Sequence, residues 1–410
     1  MAIGLNIQGG LVQLSGNPIW IEVNGASVPV GATNYKLLLK VTSTDGLLLG
    51  SPFIDAIAPD ANGKALFNIS GIVDKPIAPE FEWPATGAIK ANPAAVFNIE
   101  VEAGETYILN REQVINMGAY PEDMQILKGG VSDEQAIEYL QPFHSFFTDW
   151  ISAGKFLTNQ PNNPKVSVYQ IAKLWWMTSN VSIFNAEWHC GVWLNHQANY
   201  IELSDDIVID PASGLLEFNV NPIFLGLNDV YGTTDFTPYI RSFDFWLEDP
   251  AASEAFRVIS EVRSFVVDQS YHENNTYIMF LNGKRGIDNL WFPGSVKSNI
   301  ETTSSEAQRP VGLTDTVKIG TVLVTGKSGR RKWIVNSGYK STEEMHALVD
   351  LFLSTHIWMV TGDQQFWDPG KTTSVIPVVL ANADKLLHDT NEDLHYCELE
   401  LLEARNMKFL

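Results

Sequence analysis

Short apolar runs bounded by Gly, Pro, Asn and Asp recur along most of the chain, and aromatic and β-branched residues are concentrated inside them. Asn17–Val23, Tyr35–Val41 and Lys64–Ser70 are examples near the start. Runs of this length and composition are typical of β-strands, and turn signals at short intervals are typical of β-sandwiches. We therefore predict a β-sandwich over residues 1–80, with a hairpin turn at Asp60-Ala61-Asn62-Gly63.

The middle of the chain repeats this pattern after a proline-rich stretch. Pro76–Pro93 disfavours helix and central strand, so we place a linker there. Strand-like runs then predict a central β-sandwich region over residues 94–300, as one large domain or two small ones. Ser132 and Gln135 predict one short, peripheral helix within it. The later strand candidates are Asn180–Leu194, Leu215–Val220, Ile240–Leu247 and Ala255–Val267.

The C-terminal part changes pattern. Glu301–Pro310 is polar and rich in Ser and Thr, which predicts a connector. Ser341 and Glu344 then have capping-box spacing ahead of apolar residues at helical intervals, so we predict a helix that docks on a sheet, in an α+β module over residues 311–410. Its strands are predicted at Val317–Val324, Lys332–Val335, Ile357–Val360, Ile376–Leu380 and Leu394–Leu402, the first two forming a hairpin across Gly326-Lys327-Ser328-Gly329.

The predicted fold class is therefore mainly β: multi-domain antiparallel β-sandwich modules with a C-terminal α+β module. Apolar residues make up 45% of the 410 residues and the formal net charge is −21. An acidic chain repels phosphate, so we expect no nucleic-acid partner. No apolar run reaches the roughly 18 residues that a bilayer span needs, so we expect a soluble protein without membrane insertion. Cys190 and Cys397 alone cannot build a disulfide framework or a four-thiolate zinc site.

The densest group of potential metal ligands or catalytic residues is Glu187, His189, Cys190 and His196. Alternate residues of a strand face opposite sides, which places Cys190 on an apolar face and Glu187 and His189 on the other. A thiol and an imidazole on opposite faces cannot share a proton or a metal ion. We expect a hydrogen-bonded or solvated strand face here, while a site that Glu187 and His189 form with distant residues stays open.

Three other motifs lack a residue or an arrangement that their function requires. Gly326-Lys327-Ser328 has no first phosphate-loop glycine, because that position is Thr321. The Asp60 turn lacks the last glutamate of a calcium loop, because Gly71 stands there. Asp205-Asp206 and Glu343-Glu344 are adjacent, whereas glycoside hydrolysis needs carboxylates on opposite sides of a cleft. We therefore predict no catalytic, cofactor-binding or metal-binding residues, no cofactor and no enzyme activity.

Tryptophan is the feature that most favours ligand binding. Sugars stack on flat aromatic faces, but Trp is also enriched in cores and in protein interfaces. A glycan-binding adhesin or receptor-binding protein is therefore our alternative function, and a glycan-cleaving enzyme is a third. The candidate tryptophans are Trp175, Trp176, Trp193, Trp246, Trp291, Trp358 and Trp367.

Several short stretches carry a resemblance to a known family. They are Asn17-Pro18-Ile19, Phe156–Pro161, the hairpin Phe280–Phe292 with its Asn282-Gly283-Lys284-Arg285-Gly286 turn, and the C-terminal module. In them the chain resembles tail or baseplate-type structural proteins of Bacteroidota phages and prophages. The resemblance implies a virion component that is made in the host cytoplasm and assembles with other virion proteins. It also implies homo-oligomerisation, as a ring, in place of catalysis.

Overall fold

A computed structural model describes most of the chain. The described residues are 3–43, 52–74, 87–91, 96–118, 121–141, 144–168, 170–177, 185–195, 200–208, 215–227, 239–270, 272, 275–308, 322–361, 374–381, 395–405 and 407–409. The chain is mainly β, as predicted, and divides into two compact units. The first unit comprises residues 1–159, 172–264 and 281–288, and the second comprises residues 160–171, 265–280 and 289–410.

The first unit begins with a sandwich of two sheets. Its strands, with one from a further sheet, are β1 (Gly4–Ile7), β2 (Val12–Leu14), β3 (Trp20–Asn24), β4 (Thr33–Ser43), β5 (Phe53–Ile57), β6 (Lys64–Asn68), β7 (Ile89–Ala91), β8 (Val96–Leu109), β9 (Glu112–Met117) and β10 (Glu122–Leu127). One sheet has the order β1-β3-β6, and the other has the order β2-β10-β8-β4-β5 with β9 paired to β8. Pairing is antiparallel except between β2 and β10.

Alternating apolar residues form the core of this sandwich. Ile21, Leu39 and Ile99 have no solvent exposure. They lie on strands of both sheets, so the sheets bury their apolar faces against each other. The core draws on residues on both sides of the predicted boundary at residue 80.

The turn at Asp60-Ala61-Asn62-Gly63 is present, but it does not close a hairpin. Asp60 Oδ1 accepts the backbone N–H groups of Lys64 at 2.9 Å and Asn62 at 2.8 Å. These hydrogen bonds, led by that from Lys64, hold the pKa of the Asp60 carboxyl below its ordinary value. The flanking strands β5 and β6 belong to different sheets. The predicted hairpin is therefore wrong, because the turn carries the chain from one sheet to the other.

The next strands along the chain are β11 (Lys165–Ser167), β12 (Ala172–Met177), β13 (Asn185–Leu194), β14 (Ile201–Val208), β15 (Leu215–Val220), β16 (Ile240–Glu248) and β17 (Arg263–Asp268). In the first unit, β13 lies between β14 and β16, and β15 lies between β12 and β7. Strand β7 lies inside the predicted linker Pro76–Pro93, so that part of the linker prediction is wrong. The predicted strand Ala255–Val267 starts only at Arg263, because Glu254–Phe256 forms a 3₁₀ turn.

The helices of the first unit are short. They are α1 (Ser70–Val73), α2 (Asp133–Glu138) and a π-helical turn at Phe147–Ile151. Ser132 accepts the Gln135 N–H at the start of α2, and α2 has no buried residue. The prediction of a capped, peripheral helix is confirmed.

The second unit contains most of the C-terminal part of the chain. Its elements are β18 (Thr276–Leu281), β19 (Ile287–Phe292), β20 (Val296–Gln308), β21 (Val322–Asn336), α3 (Thr342–Leu353), β22 (Ile357–Thr361), β23 (Ser374–Leu380), β24 (Glu398–Glu403) and β25 (Met407–Phe409). The sheet order is β19-β18-β22-β23-β24-β21-β20, with β25 paired to β21. In addition, β11 pairs in parallel with β17.

Helix α3 packs on this sheet and makes the region α+β, as predicted. Ser341 Oγ accepts the Glu344 N–H at 3.3 Å, and Glu344 Oε2 accepts the Ser341 N–H at 2.9 Å, so the capping box is complete. Met345 is fully buried in a core that also contains Phe280 and Leu399. This core includes residues of β18 and β19, which precede position 311.

Two predictions for this region are wrong. The segment Gly326–Gly329 is not a turn, because β21 runs through it without interruption. Residues 301–308 of the predicted connector Glu301–Pro310 are strand, because they pair with β21. The rest of that connector, and the first residues of the predicted strand Val317–Val324, lie outside the described residues.

Candidate assembly surface

Strands β20 and β21 form a long antiparallel pair, which we call the ribbon. Its register runs from Val296 opposite Val335 to Gln308 opposite Val322. Strands β24 and β25 cover parts of β21, whereas residues 322–326 pair with β20 alone within the described parts of the chain. Among the described strands, β20 is an outer strand of its sheet. Its outer edge therefore presents backbone groups with which another strand can pair.

A bulge interrupts the ribbon. Ser305 lies opposite Gly326 and Glu306 lies opposite Val324, so Thr325 is an extra residue on β21. The hydroxyl of Thr325 donates to the Ser305 carbonyl at 3.0 Å. A bulge bends its strand and increases the local twist. The ribbon is therefore bent and twisted at the bulge, and a partner must match that shape to bind it.

Strand β20 and part of β21 are solvent-exposed, and the ribbon is positively charged. All residues of β20 after Val296 are exposed. Ile300 is 59% exposed and Val324 is 51% exposed, so apolar side chains face solvent beside polar ones. The chain as a whole carries a net charge of −21, whereas basic residues outnumber acidic ones in the ribbon. The basic residues of the ribbon are Lys297, Lys327, Arg330, Arg331 and Lys332, and its acidic residues are Glu301 and Glu306.

Two of the basic side chains of the ribbon contact neighbouring residues, and two others are exposed to solvent. Lys332 Nζ lies 2.7 Å from Glu400 Oε2, and this hydrogen bond raises the pKa of Lys332 above its ordinary value. Arg330 Nε donates to the Glu403 carbonyl at 2.8 Å. Lys327 and Arg331 are exposed. An open strand edge with exposed cations is suited to binding an acidic protein surface.

The sequence did not identify this surface. The Gly326–Gly329 segment reads as a turn, and the polar segment Glu301–Pro310 reads as a connector. The available signals were the strand-forming residues Thr302, Thr303, Val322 and Val324 and the Arg330-Arg331-Lys332 run. Neither signal locates the partner strand, because pairing over this distance leaves no local mark in the sequence.

The predicted cluster on β13 divides between two faces, as its periodicity predicted. Cys190 is fully buried opposite Phe245, and burial raises the pKa of its thiol. His189 lies on the other face and is 6% exposed. His196 lies outside the described residues. Cys190 therefore does not share a site with the imidazole.

His189 is surrounded by carboxylates. Its Nδ1 lies 2.7 Å from Glu202 Oε1, and its Nε2 lies 3.4 Å from Glu187 Oε2 and 3.6 Å from Glu248 Oε2. Arg257 Nε also lies 2.6 Å from Glu248 Oε2. These contacts give the hydrogen-bonded strand face that we expected. Within the described ranges, no group of His, Cys, Asp or Glu side chains is arranged to hold a metal ion.

The remaining candidate residues do not converge on a site. Asp205 and Asp206 are exposed on β14, and Glu344 completes the helix cap. Trp175, Trp176 and Trp291 are at most 2% exposed, whereas Trp193, Trp246 and Trp358 are half-buried. Trp367 lies outside the described residues. The three buried tryptophans therefore serve packing.

The second unit contains a small pocket that is partly open to solvent. Its lining includes Lys165, Asn289, Trp291, Lys340 and Glu344. Burial lowers the pKa of Lys340, although Glu344, whose Oε1 lies 3.7 Å from its Nζ, opposes that change. The enclosed space of the pocket, about 20 Å³, holds about one water molecule and is too small for a ligand of ordinary size.

Two stretches that carry the family resemblance meet in the first unit. Thr158 Oγ1 donates to Asp288 Oδ1 at 2.7 Å, and Asn282 Nδ2 donates to the Leu157 carbonyl at 2.8 Å. Arg285 is fully buried and has a φ of 80°. We call Asn282–Asp288 the hairpin tip. Its polar groups are committed to internal contacts, so the tip is a structural element.

Comparisons with known proteins identify no family. No protein-family model matches the chain, and no curated protein matches it. Among solved structures, the chain shows a likeness to "Crystal structure of Dscam1 isoform 1.9, N-terminal four Ig domains", with 8% identity and a TM-score of 0.13 over 82% of this chain and 69% of that chain. At that TM-score the likeness supports no argument. None of the described helices is long and apolar enough to cross a membrane.

Proposed function

We propose that this chain is a structural protein of a virion, a tail or baseplate component that acts by protein–protein assembly and not by catalysis. The observation that carries the proposal is the ribbon, an exposed and bulged strand pair with a positive charge on an acidic chain. The resemblance to tail and baseplate proteins supports the same function. The partners are other virion proteins, including further copies of this chain.

Charge complementarity favours a second copy as one partner. The ribbon is positive, while the chain as a whole is strongly negative. A contact between the ribbon of one copy and an acidic surface of the next joins two different surfaces. Contacts of this kind close into rings when the rotation between copies allows it.

Sedimentation of the purified protein tests this proposal. The double variant Lys327→Glu with Arg331→Glu reverses two exposed charges on the ribbon, and Arg241→Glu, an exposed residue of β16, is the matched control. We expect wild type and control to form oligomers that dissociate in high salt, and the double variant to remain monomeric. A monomeric wild type at all concentrations, or a double variant that assembles normally, would contradict the proposal. Antibody labelling of purified virus particles in the electron microscope tests the virion assignment separately.

One observation favours the alternative, a glycan-binding adhesin. Tyr339 is 70% exposed and Tyr396 is 58% exposed, and their rings meet edge to face with centroids 6.3 Å apart. Exposed aromatic faces can stack on sugars. Specific binding on a glycan array, lost in Tyr339→Ala and retained in the double ribbon variant, would favour the adhesin over the assembly protein.

A further inference from the structure

A lysine, an asparagine and a glutamate lie together in the interior of the first unit. Lys173 on β12 is directly opposite Asn219 on β15, and Glu217 lies two positions before Asn219 on the same face of that strand. Lys173 is 2% exposed, Asn219 is 1% exposed and Glu217 is 0% exposed. The three side chains are thus enclosed in the protein, away from bulk water.

The contacts orient the amine toward the carboxamide. Lys173 Nζ donates to Asn219 Oδ1 at 2.8 Å and also contacts Glu217 Oε1. Asn219 Nδ2 donates to the Gly87 carbonyl at 2.8 Å, which fixes the amide with its oxygen toward the lysine. Glu217 Oε2 has no hydrogen-bond partner among the described residues. The Glu217 carboxylate therefore contacts the Lys173 amine and has an oxygen that can accept a proton.

Burial changes the chemistry that these groups favour. A charged pair in a buried interior is costly, so transfer of a proton from the Lys173 ammonium to the Glu217 carboxylate leaves two neutral groups that the interior tolerates better. A neutral amine is a nucleophile, and a carboxylic acid can donate a proton. The carboxamide of Asn219 is the adjacent electrophile.

We propose that Lys173 and Asn219 become joined by an isopeptide bond that forms within the folded chain, with Glu217 as the catalytic proton carrier. This inference does not depend on the assembly function. It assigns to the first unit a self-modification site whose substrates are its own amine and carboxamide.

The reaction balances without an added reagent. The Lys173 ammonium gives a proton to Glu217, and the nitrogen lone pair then attacks Asn219 Cγ. The Cγ–Nδ2 bond breaks, and the departing nitrogen takes a proton from the former lysine amine and a second from Glu217. The products are an amide between Nζ and Cγ, an ammonium ion and the regenerated Glu217 carboxylate. No group is oxidised or reduced.

The bond would fasten adjacent strands of one sheet covalently. Strands β12 and β15 are far apart in sequence, so the crosslink closes a long loop and reduces the freedom of the unfolded chain. Gly87, whose carbonyl accepts from Asn219, lies two positions before β7, and β7 pairs with the other side of β15. Among the described strands of this sheet, the crosslink would therefore join an outer strand, β12, to the middle strand, β15.

Mass spectrometry of the denatured full-length protein tests the proposal. We expect wild type to be lighter than its sequence mass by one ammonia, and Glu217→Gln to have its full sequence mass. Digestion of wild type should release a branched peptide that joins the Lys173 and Asn219 segments. In Asn219→Asp, the same attack would release water in place of ammonia.

The branched peptide is the decisive readout, because succinimide formation at an Asn-Gly pair such as Asn282-Gly283 also releases ammonia. Wild type at its full sequence mass after prolonged incubation would overturn the proposal, as would ammonia loss mapped to another asparagine. A crosslink that persists in Glu217→Gln would overturn the role of Glu217. The peptide map of wild type decides the main point even if a variant fails to fold.

Discussion

The hairpin tip of the first unit and the ribbon of the second unit are both β-hairpin segments rich in polar residues, yet their environments are opposite. In the tip, Asn282 and Asp288 are each 2% exposed and Arg285 is fully buried. In the ribbon, the Ser and Thr residues of β20 are exposed. Polar composition therefore does not decide whether a hairpin lies inside a protein or on its surface.

The difference lies in the partners that each segment finds. Asn282 Nδ2 donates to both the Leu157 carbonyl and Asp288 Oδ2, the latter at 3.0 Å, and Lys284 N donates to Asn282 Oδ1 at 2.9 Å. Lys284 Nζ lies 3.7 Å from the centre of the Trp150 ring. Burial is tolerated because these groups are paired. Strand β20 of the ribbon keeps its polar side chains in solvent, where they can contact another molecule.

Gly286→Ala should have the largest effect. A Cβ at Gly286 would overlap the Leu157 carbonyl and lie 2.8 Å from Asn282 Nδ2. We expect a loss of about 3 kcal/mol or more in the free energy of unfolding, because the obstructing group is backbone. The matched control is Gly326→Ala in the ribbon, where no atom lies within 4 Å of the added Cβ. Chemical denaturation of both variants tests the contrast, and equal stabilities would contradict it.

Asp288→Ala should come next. The carboxylate accepts from Thr158 and from Asn282, and both donors are buried. Loss of an acceptor that buried donors need costs about 1–3 kcal/mol. Urea unfolding measures this cost, with Asp288→Asn as the control that keeps one acceptor oxygen. An unchanged midpoint for Asp288→Ala would show that the tip does not depend on this pairing.

Ser341→Ala should have an intermediate effect. The variant removes the side chain that accepts the Glu344 N–H at the start of α3. Removal of an N-cap side chain costs about 1 kcal/mol. Thermal unfolding measures the loss, and Ser341→Asp, which keeps a capping acceptor, should restore most of it. A loss as large as that in Gly286→Ala would mean that the cap has a further role.

Thr303→Ala in the ribbon should have the smallest effect. Thr303 is exposed on β20, and surface substitutions of this kind change stability by about 0.5 kcal/mol or less. Urea unfolding of the monomeric form measures the change. A loss above that of Ser341→Ala would indicate that the ribbon is part of the stability of its own unit.

The sequence predicted elements whose signals are local. Ser341 and Glu344 lie within one helical turn, so the capped helix α3 could be recognised from their spacing and from the apolar positions that follow. The turn of the hairpin tip was recognisable in the same way, because Asn-Gly and Arg-Gly pairs tolerate positive φ. The alternation around Cys190 also placed that thiol correctly in the interior.

The sequence did not predict features that depend on distant partners. The strand β21 passes through Gly326–Gly329 because β20 pairs with it and Thr325 forms a bulge. Lys173 and Glu217 lie on strands that come together only in the folded sheet. The Asp60 turn was recognised, but the separate sheets of β5 and β6 were not. In each case the deciding contact is long-range and leaves no periodic mark in the sequence.

Hydrogen exchange of the ribbon amides at low and high protein concentration tests the central claim most directly. If the ribbon is the assembly surface, the outward amides of β20 become protected as the protein assembles, whereas the amides of β4 and β8 in the sandwich exchange at the same rate in both samples. Assembly that leaves the β20 amides as accessible as in the monomer would contradict the account.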